Sequence, residues 1–291
     1  MLNSLQLRLS SYARLIRMDK PIGACLLLWP TLWAIWMSSG GAPSAHIFWV
    51  FVMGTFLMRS AGCAINDYAD RDYDPHVKRT ANRPLATKEI APWEALVVAT
   101  LLVLIAFGLV LTLNALTIKL SFIALFLAIS YPFAKRFISV PQAYLGVTFG
   151  VGIPMAWASA VDHIPFVGYV TMLANVFWVL AYDTEYAMVD RDDDMGIGIK
   201  TSAILFGKYD VAMVFIFQTT FLFLMLAVGI MSALGIFYYM GLAGATVAIA
   251  FQYPMIKYRL REGCFRAFRQ NNLVGGMIFF GLLLDKAFVG N

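Results

Sequence analysis

A helix needs about 20 consecutive apolar residues to cross the hydrocarbon core of a bilayer. This chain offers such a run nine times, near 21–39, 46–65, 93–113, 116–131, 141–160, 165–185, 211–231, 234–253 and 271–288. No other feature constrains the fold as strongly. Backbone in lipid must satisfy its hydrogen bonds internally, which leaves only helices and closed barrels. Barrel strands are about ten residues long and alternate in polarity, whereas these runs are longer and uniformly apolar. The expectation is an all-α polytopic membrane protein with nine transmembrane helices. The fourth and ninth runs are the shortest, and Lys119 falls inside the fourth. Composition agrees: 60% of the 291 residues are hydrophobic and 13% charged, against about a quarter charged in a soluble domain. An unbroken series of spans favours a single domain over residues 1–291.

Basic residues orient the spans. Segments 1–20, 66–92, 132–140, 186–210 and 254–270 hold nearly all Lys and Arg, and the linkers between them hold none. With nine spans the N-terminus and the long polar loops lie in the cytoplasm and the C-terminus outside. This bias accounts for the net charge of +5, and no nucleic-acid partner is expected. Residues 1–20 lack a continuous apolar core and a small-residue cleavage pattern, so they do not read as a signal peptide. Leu5, Leu9, Tyr12 and Ile16 fall near helical spacing among arginines, as in an interfacial amphipathic helix on membrane lipid. Cys25, Cys63 and Cys264 show no CxxC pairing and read as buried free thiols; the three histidines are isolated, which excludes a zinc site. Gly146 and Gly150 form a GxxxG pattern suited to close helix packing.

Two stretches break the apolar pattern with acids. The first, "NDYADRDYD", covers Asn66 to Asp74 and closes the second run. Residues four apart share a helix face, so Asn66, Asp70 and Asp74 form one stripe, while Asp67 and Asp72 point elsewhere and read as peripheral. The second, "YDTEYAMVDRDDD", closes the sixth run on the same side of the membrane. Asp183, Asp190 and Asp194 are spaced seven and four and form another stripe, leaving Glu185, Asp192 and Asp193 off it. Two carboxylate stripes facing one pocket repel each other in a low dielectric and call for a cation. Carboxylate and amide oxygens suit Mg2+, which takes one or two carboxylates together with phosphate oxygens. The spacing therefore suggests Mg2+ ions bridged by a diphosphate; the bland alternative is a solvated acidic helix end.

Most nearby basic residues, including Lys78, Arg79, Arg83, Lys135, Arg136 and Lys200, are explained by the positive-inside rule alone. Arg59 is not. It lies within the second span, seven residues before Asn66 and on the same face. An ionisable group inside a membrane is a functional hypothesis by default, and Arg59 could hold a carboxylate deeper in the pocket.

On these residues the chain resembles the UbiA superfamily of intramembrane aromatic prenyltransferases. "NDYADRDYD" matches its N-D-x-x-D-x-x-x-D motif in full, and Asp183, Asp190 and Asp194 match D-x-x-x-x-x-x-D-x-x-x-D. The longer stretches "NDYADRDYDPHVKRTANRPLA", "YDTEYAMVDRDDDMGIGIKTSAILFG" and "MDKPIGACLLLWPTLWAIW" are similar to the ubiquinone-pathway branch, which acts on 4-hydroxybenzoate. The resemblance implies a nine-helix bundle with a central cavity open sideways to lipid, in a bacterial inner membrane. It implies that Asn66, Asp70, Asp74, Asp190 and Asp194 bind Mg2+ and through it a diphosphate, with Asp183 assisting and Asp70, Asp74, Asp190 and Asp194 indispensable for catalysis. It implies that Arg79, Arg83 and Lys135 lie near the diphosphate, and Arg59 and Tyr131 near an aromatic acceptor. The substrates would be a polyprenyl diphosphate and an aromatic acid. Two alternatives stand beside this: another acceptor, such as a dihydroxynaphthoate or homogentisate-like ring, and a divalent-cation transporter, against which speaks the placement of the acids at helix ends.

Overall fold

The computed structural model describes residues 2–19, 22–134 and 136–289. Among the described residues thirteen α-helices follow one another: α1 (Leu2–Leu15), α2 (Ile22–Ser38), α3 (Ala45–Asp70), α4 (Pro92–Val110), α5 (Ala115–Ala134), α6 (Pro141–Gly150), α7 (Gly152–Val161), α8 (Phe166–Ile197), α9 (Ser202–Phe206), α10 (Asp210–Met231), α11 (Ile236–Ala250), α12 (Tyr253–Ile256) and α13 (Arg261–Phe288). Seven helical stretches are long and apolar enough to cross a membrane, and α2 is a shorter apolar helix. Residues 141–161 count as one such stretch although the helix breaks at Val151. Pro154 supplies the reason: it has no N–H to donate, and its ring crowds the carbonyl four residues earlier, that of Gly150.

Helix ends depart from the hydropathy pattern in both directions. α5 reaches 20 residues, longer than its apolar run. α8 continues for 32 residues and carries all of the second acidic stretch, and α13 begins ten residues before its apolar run, at Arg261. Hydropathy reports where lipid ends, and these helices continue beyond it. α3 does the opposite. It stops at Asp70, and Asp74 opens a separate 3-10 turn, Asp74–His76. A proline disfavours helical geometry in the residue before it, and Pro75 follows Asp74 directly. The first stripe is therefore helical only at Asn66 and Asp70.

The core is an aromatic column shared by α2, α8 and α10. Trp33 packs on Trp178 with ring centroids 5.3 Å apart, and Phe221 stacks on Trp178 at 5.6 Å. Buried indole N–H groups need acceptors, and α13 supplies both: Trp33 Nε1 donates to the Gly275 carbonyl at 3.1 Å and Trp178 Nε1 to Asn271 Oδ1 at 3.0 Å. Asn271 in turn donates to Glu185, at 2.8 Å, which is wholly buried and also accepts from Gln218. The GxxxG pair acts as its spacing suggests. A Cβ on Gly146 would lie 3.0 Å from the Val176 backbone, so only glycine allows α6 this close to α8. Of the cysteines, Cys63 and Cys264 are buried and Cys25 half-buried, all free.

α1 meets the bundle with part of the face its spacing marks. Leu15 is wholly buried, and with Tyr12 and Ile16 it packs against Ala61, Ala64, Leu85 and Ala95, whereas Leu9 points outward. The helix is docked on the ends of α3 and α4 and on the loop between them.

Candidate active site at the mouth of a membrane cavity

A cavity of about 1210 Å³ runs into the bundle between α2, α3, α4, α5 and α8. Its deep walls are apolar, with Val50, Phe107, Val110 and Phe149 among them, and its mouth is lined by Asn66, Asp67, Arg79, Arg83, Asp183 and Arg261. Both acidic stretches reach this mouth. Of the expected metal ligands Asn66 and Asp183 line the cavity itself, whereas Asp70, Asp74, Asp190 and Asp194 are buried.

The loop after α3 is held across the end of α8 by charge. Arg79 Nε lies 3.1 and 2.8 Å from the two carboxylate oxygens of Asp190, and its guanidinium stacks 4.4 Å above the Tyr186 ring. Arg83 Nη1 lies 3.1 and 3.0 Å from the oxygens of Asp74, and 3.0 Å from Asp67 Oδ1. Asp193 accepts from the Lys78 backbone N–H at 3.2 Å and receives both Nη groups of Arg261 at 2.9 and 2.8 Å, fastening the loop to α13. Burial pushes the Asp74 carboxyl above its ordinary range, and Asp67 and Asp70 push it further, against the pull of Arg83.

That crowding bears on a metal ion. The donors are carboxylate oxygens with one amide, the chemistry of a hard cation. Among the described residues no three His, Cys, Asp or Glu side chains converge into a ready-made cage. Mg2+ does not ask for one, because it takes one or two carboxylates and completes its shell with water and phosphate oxygens. A divalent cation at this mouth would favour the charged form of Asp74, which burial disfavours. The residues present therefore fit Mg2+ shared with a phosphorylated ligand.

Deeper in the cavity, Arg59 lies against Gly23, whose missing Cβ makes room for its Nη2, and its Nη1 meets the Cys63 sulfur. Tyr131, Tyr182 and Asp183 line the same cavity as Arg59. So Arg59 and Tyr131, far apart in sequence, face one cavity. Lys135 lies outside the described residues; its neighbour Arg136 donates to the Ala69 carbonyl at 2.6 Å, tying this loop to the end of α3.

The spacing of the acids left three residues unread. Asp67 was expected at the periphery but is wholly buried, bound by Arg17 and Arg83. Asp72, by contrast, is exposed as expected. Asp193 is a fastener, and Tyr182 places a buried hydroxyl without a hydrogen-bond partner among the described residues. No local signal marks any of them, because the groups that surround each come from elsewhere in the sequence.

A bundle of apolar helices around a cavity with acids and arginines at its mouth defines an integral membrane protein built to hold a polar, charged head and a greasy body together. The family that joins these features is a definite one: residues 27–281 match the UbiA prenyltransferase family, and the chain belongs to it. It is 58% identical over 280 residues to the 4-hydroxybenzoate octaprenyltransferase of Cupriavidus pinatubonensis, covering 96% of this chain and 98% of the relative. The 4-hydroxybenzoate octaprenyltransferase of Aeromonas salmonicida is 53% identical over 275 residues, covering 94% of this chain and 95% of the relative. Among solved structures, the apo UbiA homolog from Aeropyrum pernix superposes with a TM-score of 0.79 at 24% identity, over 90% of this chain and 98% of that one. The UbiA homolog from Archaeoglobus fulgidus bound to DMAPP and Mg2+ gives 0.68 at 14% identity, over 96% and 99%.

Proposed function

We propose that this protein transfers a polyprenyl group from a polyprenyl diphosphate to the ring carbon ortho to the hydroxyl of 4-hydroxybenzoate, releasing diphosphate, as a step of ubiquinone biosynthesis. The observation that carries the reading is the joining of the two acidic stretches by Arg79 and Asp190 at the mouth of an apolar cavity, in a chain 58% identical to a 4-hydroxybenzoate octaprenyltransferase over nearly all its length.

Each part of the site has a task in this reaction. Arg79 and Arg83 now sit on Asp190 and Asp74; the same guanidiniums suit phosphate oxygens, to which arginine binds bidentately. The family resemblance adds Lys135 to the diphosphate set. The acids would hold Mg2+ through Asn66, Asp70, Asp74, Asp190 and Asp194, with Asp183 assisting, and Asp70, Asp74, Asp190 and Asp194 are the catalytic set. When bound, the ion supplies charge neutralisation of the leaving diphosphate. The allylic C–O bond breaks with its electron pair leaving on the diphosphate, and donors fixed in advance stabilise that charge. Arg59 holds the acceptor carboxylate, and the Tyr131 ring shields the allylic cation by a cation–π contact. The ring carbon then forms the new C–C bond, and its proton is lost to solvent. The apolar walls take the prenyl chain.

In the membrane we place nine spans, formed by α2, α3, α4, α5, α6 with α7, α8, α10, α11 and α13, as one domain over residues 1–291. The N-terminus and the active-site loops face the cytoplasm of a bacterial inner membrane and the C-terminus lies outside. The test is an assay of the purified protein with a polyprenyl diphosphate, Mg2+ and a panel of aromatic acids. Prenylated 4-hydroxybenzoate as the main product supports the reading, and preference for another ring, or cation flux without transfer, overturns it.

A further inference from the structure

Asp67 and Arg17 stand outside the roles assigned above, yet they form one of the most buried ion pairs at the site. Asp67 is 0% exposed, and Arg17 Nη2 lies 2.7 and 2.9 Å from its two oxygens. The third partner is Arg83, whose Nη1 is 3.0 Å from Asp67 Oδ1 while also touching Asp74. The chain of contacts thus runs Arg17, Asp67, Arg83, Asp74, with charge alternating at each step.

Arg17 adopts a backbone conformation that argues for a purpose. It follows the end of α1 with φ of 59°. Met18 N donates to the Ala13 carbonyl and Arg17 N to that of Arg14, the two bonds of a Schellman turn whose left-handed position is normally glycine. A side chain there costs about 1–2 kcal/mol. Arginine is kept where glycine would be easier, and its Nη1 closes back on the Arg14 carbonyl at 2.7 Å.

We infer that Asp67 and Arg17 are positioning residues that hold Arg83 in place for the diphosphate. The inference rests on the diphosphate reading above. Arg83 shares Asp74 with the proposed metal set, and a carboxylate engaged by a cation holds a guanidinium less well. Arg83 then needs a second carboxylate that stays. Asp67 is that group, because its burial and its bond to Arg17 keep it from turning away. Arg17 also sets the charge. Arg17, Asp67 and Arg83 sum to one positive charge, whereas without Arg17 the charge of Asp67 would cancel that of Arg83. The N-terminal helix thereby becomes part of the site.

The test is the affinity of the full-length protein in detergent micelles for inorganic pyrophosphate with Mg2+, measured by calorimetry for Arg17→Gly, Asp67→Asn, Arg83→Ala and the Arg17→Gly/Arg83→Ala pair. Glycine keeps the turn of α1 and relieves its strain, so Arg17→Gly folds even where Asp67→Asn does not. The expected loss is about tenfold for Arg17→Gly in the otherwise unchanged protein and less than about twofold once Arg83 is alanine, the non-additivity of coupled residues. Arg17→Lys restores part of the loss. Equal losses in both backgrounds, or none in either, overturn this role alone. Failure of the unchanged protein to bind pyrophosphate overturns the diphosphate reading and this role with it.

Discussion

Arg79 lies across Asp190, with its Nε 2.8 Å from Oδ2, and so joins the loop after α3 to the end of α8 across 111 residues of sequence. Neither residue is where it is for stability alone. The Asp190 side chain is 8% exposed and that of Arg79 30%, and the desolvation cost of a largely buried pair offsets much of its attraction. Asp190→Asn and Arg79→Ala are each expected to lower prenyl transfer by about 10²–10³, the usual cost of one fixed electrostatic contact to a developing charge, with little change in the amount of protein in the membrane. Transfer near the unchanged rate in Asp190→Asn, measured on equal amounts of protein, removes Asp190 from the site.

Gly23 gives a way to move Arg59 without mutating it. A Cβ at Gly23 would stand 2.8 Å from Arg59 Nη2, the mobile end of a long side chain. The guanidinium shifts, while the helix gains from alanine by about 0.5–1 kcal/mol. Gly23→Ala is therefore expected to raise the KM for the aromatic acid several-fold, leave the KM for the prenyl diphosphate unchanged and leave Tm equal or higher. Equal effects on both substrates take Arg59 away from the acceptor. Arg59→Ala is expected to show the same split more strongly.

The apolar runs announce the long helices, because a chain in lipid has almost no other choice, and the two acidic stretches stand out by their spacing. What escapes is whatever depends on a partner. Asp74 falls off the helix because Pro75 forbids it, a local cue written in the sequence beside it. The charged first turns of α13 are invisible to hydropathy yet place Arg261 on Asp193. Spacing sets Asp67 off the stripe; that it is buried between Arg83 and Arg17, the latter 50 residues earlier, only the fold reveals.

Tyr182 is 2% exposed, and its ring packs edge-on to Trp178 and Phe268 at 5.3 and 6.0 Å. Its hydroxyl has no hydrogen-bond partner among the described residues. A buried hydroxyl left unpaired costs about 1–3 kcal/mol, so Tyr182→Phe is expected to raise Tm in detergent when no substrate is present. Tyr182 lines the same cavity as Arg59 and Tyr131, the residues proposed above for the acceptor, and on that proposal the same variant is expected to bind the aromatic acid more weakly. A lower Tm shows that the hydroxyl is already satisfied within the protein and removes both expectations.

Gly146 tests whether the packing of α6 on α8 holds the second acidic stripe in place. An added Cβ would stand 3.0 Å from Val176 Cα and 3.1 Å from its carbonyl oxygen. Backbone cannot turn aside as a side chain does, so the two helices must separate. Overpacking of this kind costs about 1–3 kcal/mol, and Gly146→Ala is expected to lower Tm in detergent accordingly. Because α8 carries Asp183, Asp190 and Asp194, the displacement also reaches the mouth, and transfer falls even at temperatures where the variant is folded. Gly108→Ala on α4 is the matched control: a Cβ there meets nothing within 4 Å, and both Tm and transfer are expected to hold. Loss of Tm in Gly146→Ala with full transfer at low temperature shows that the stripe keeps its position without this contact.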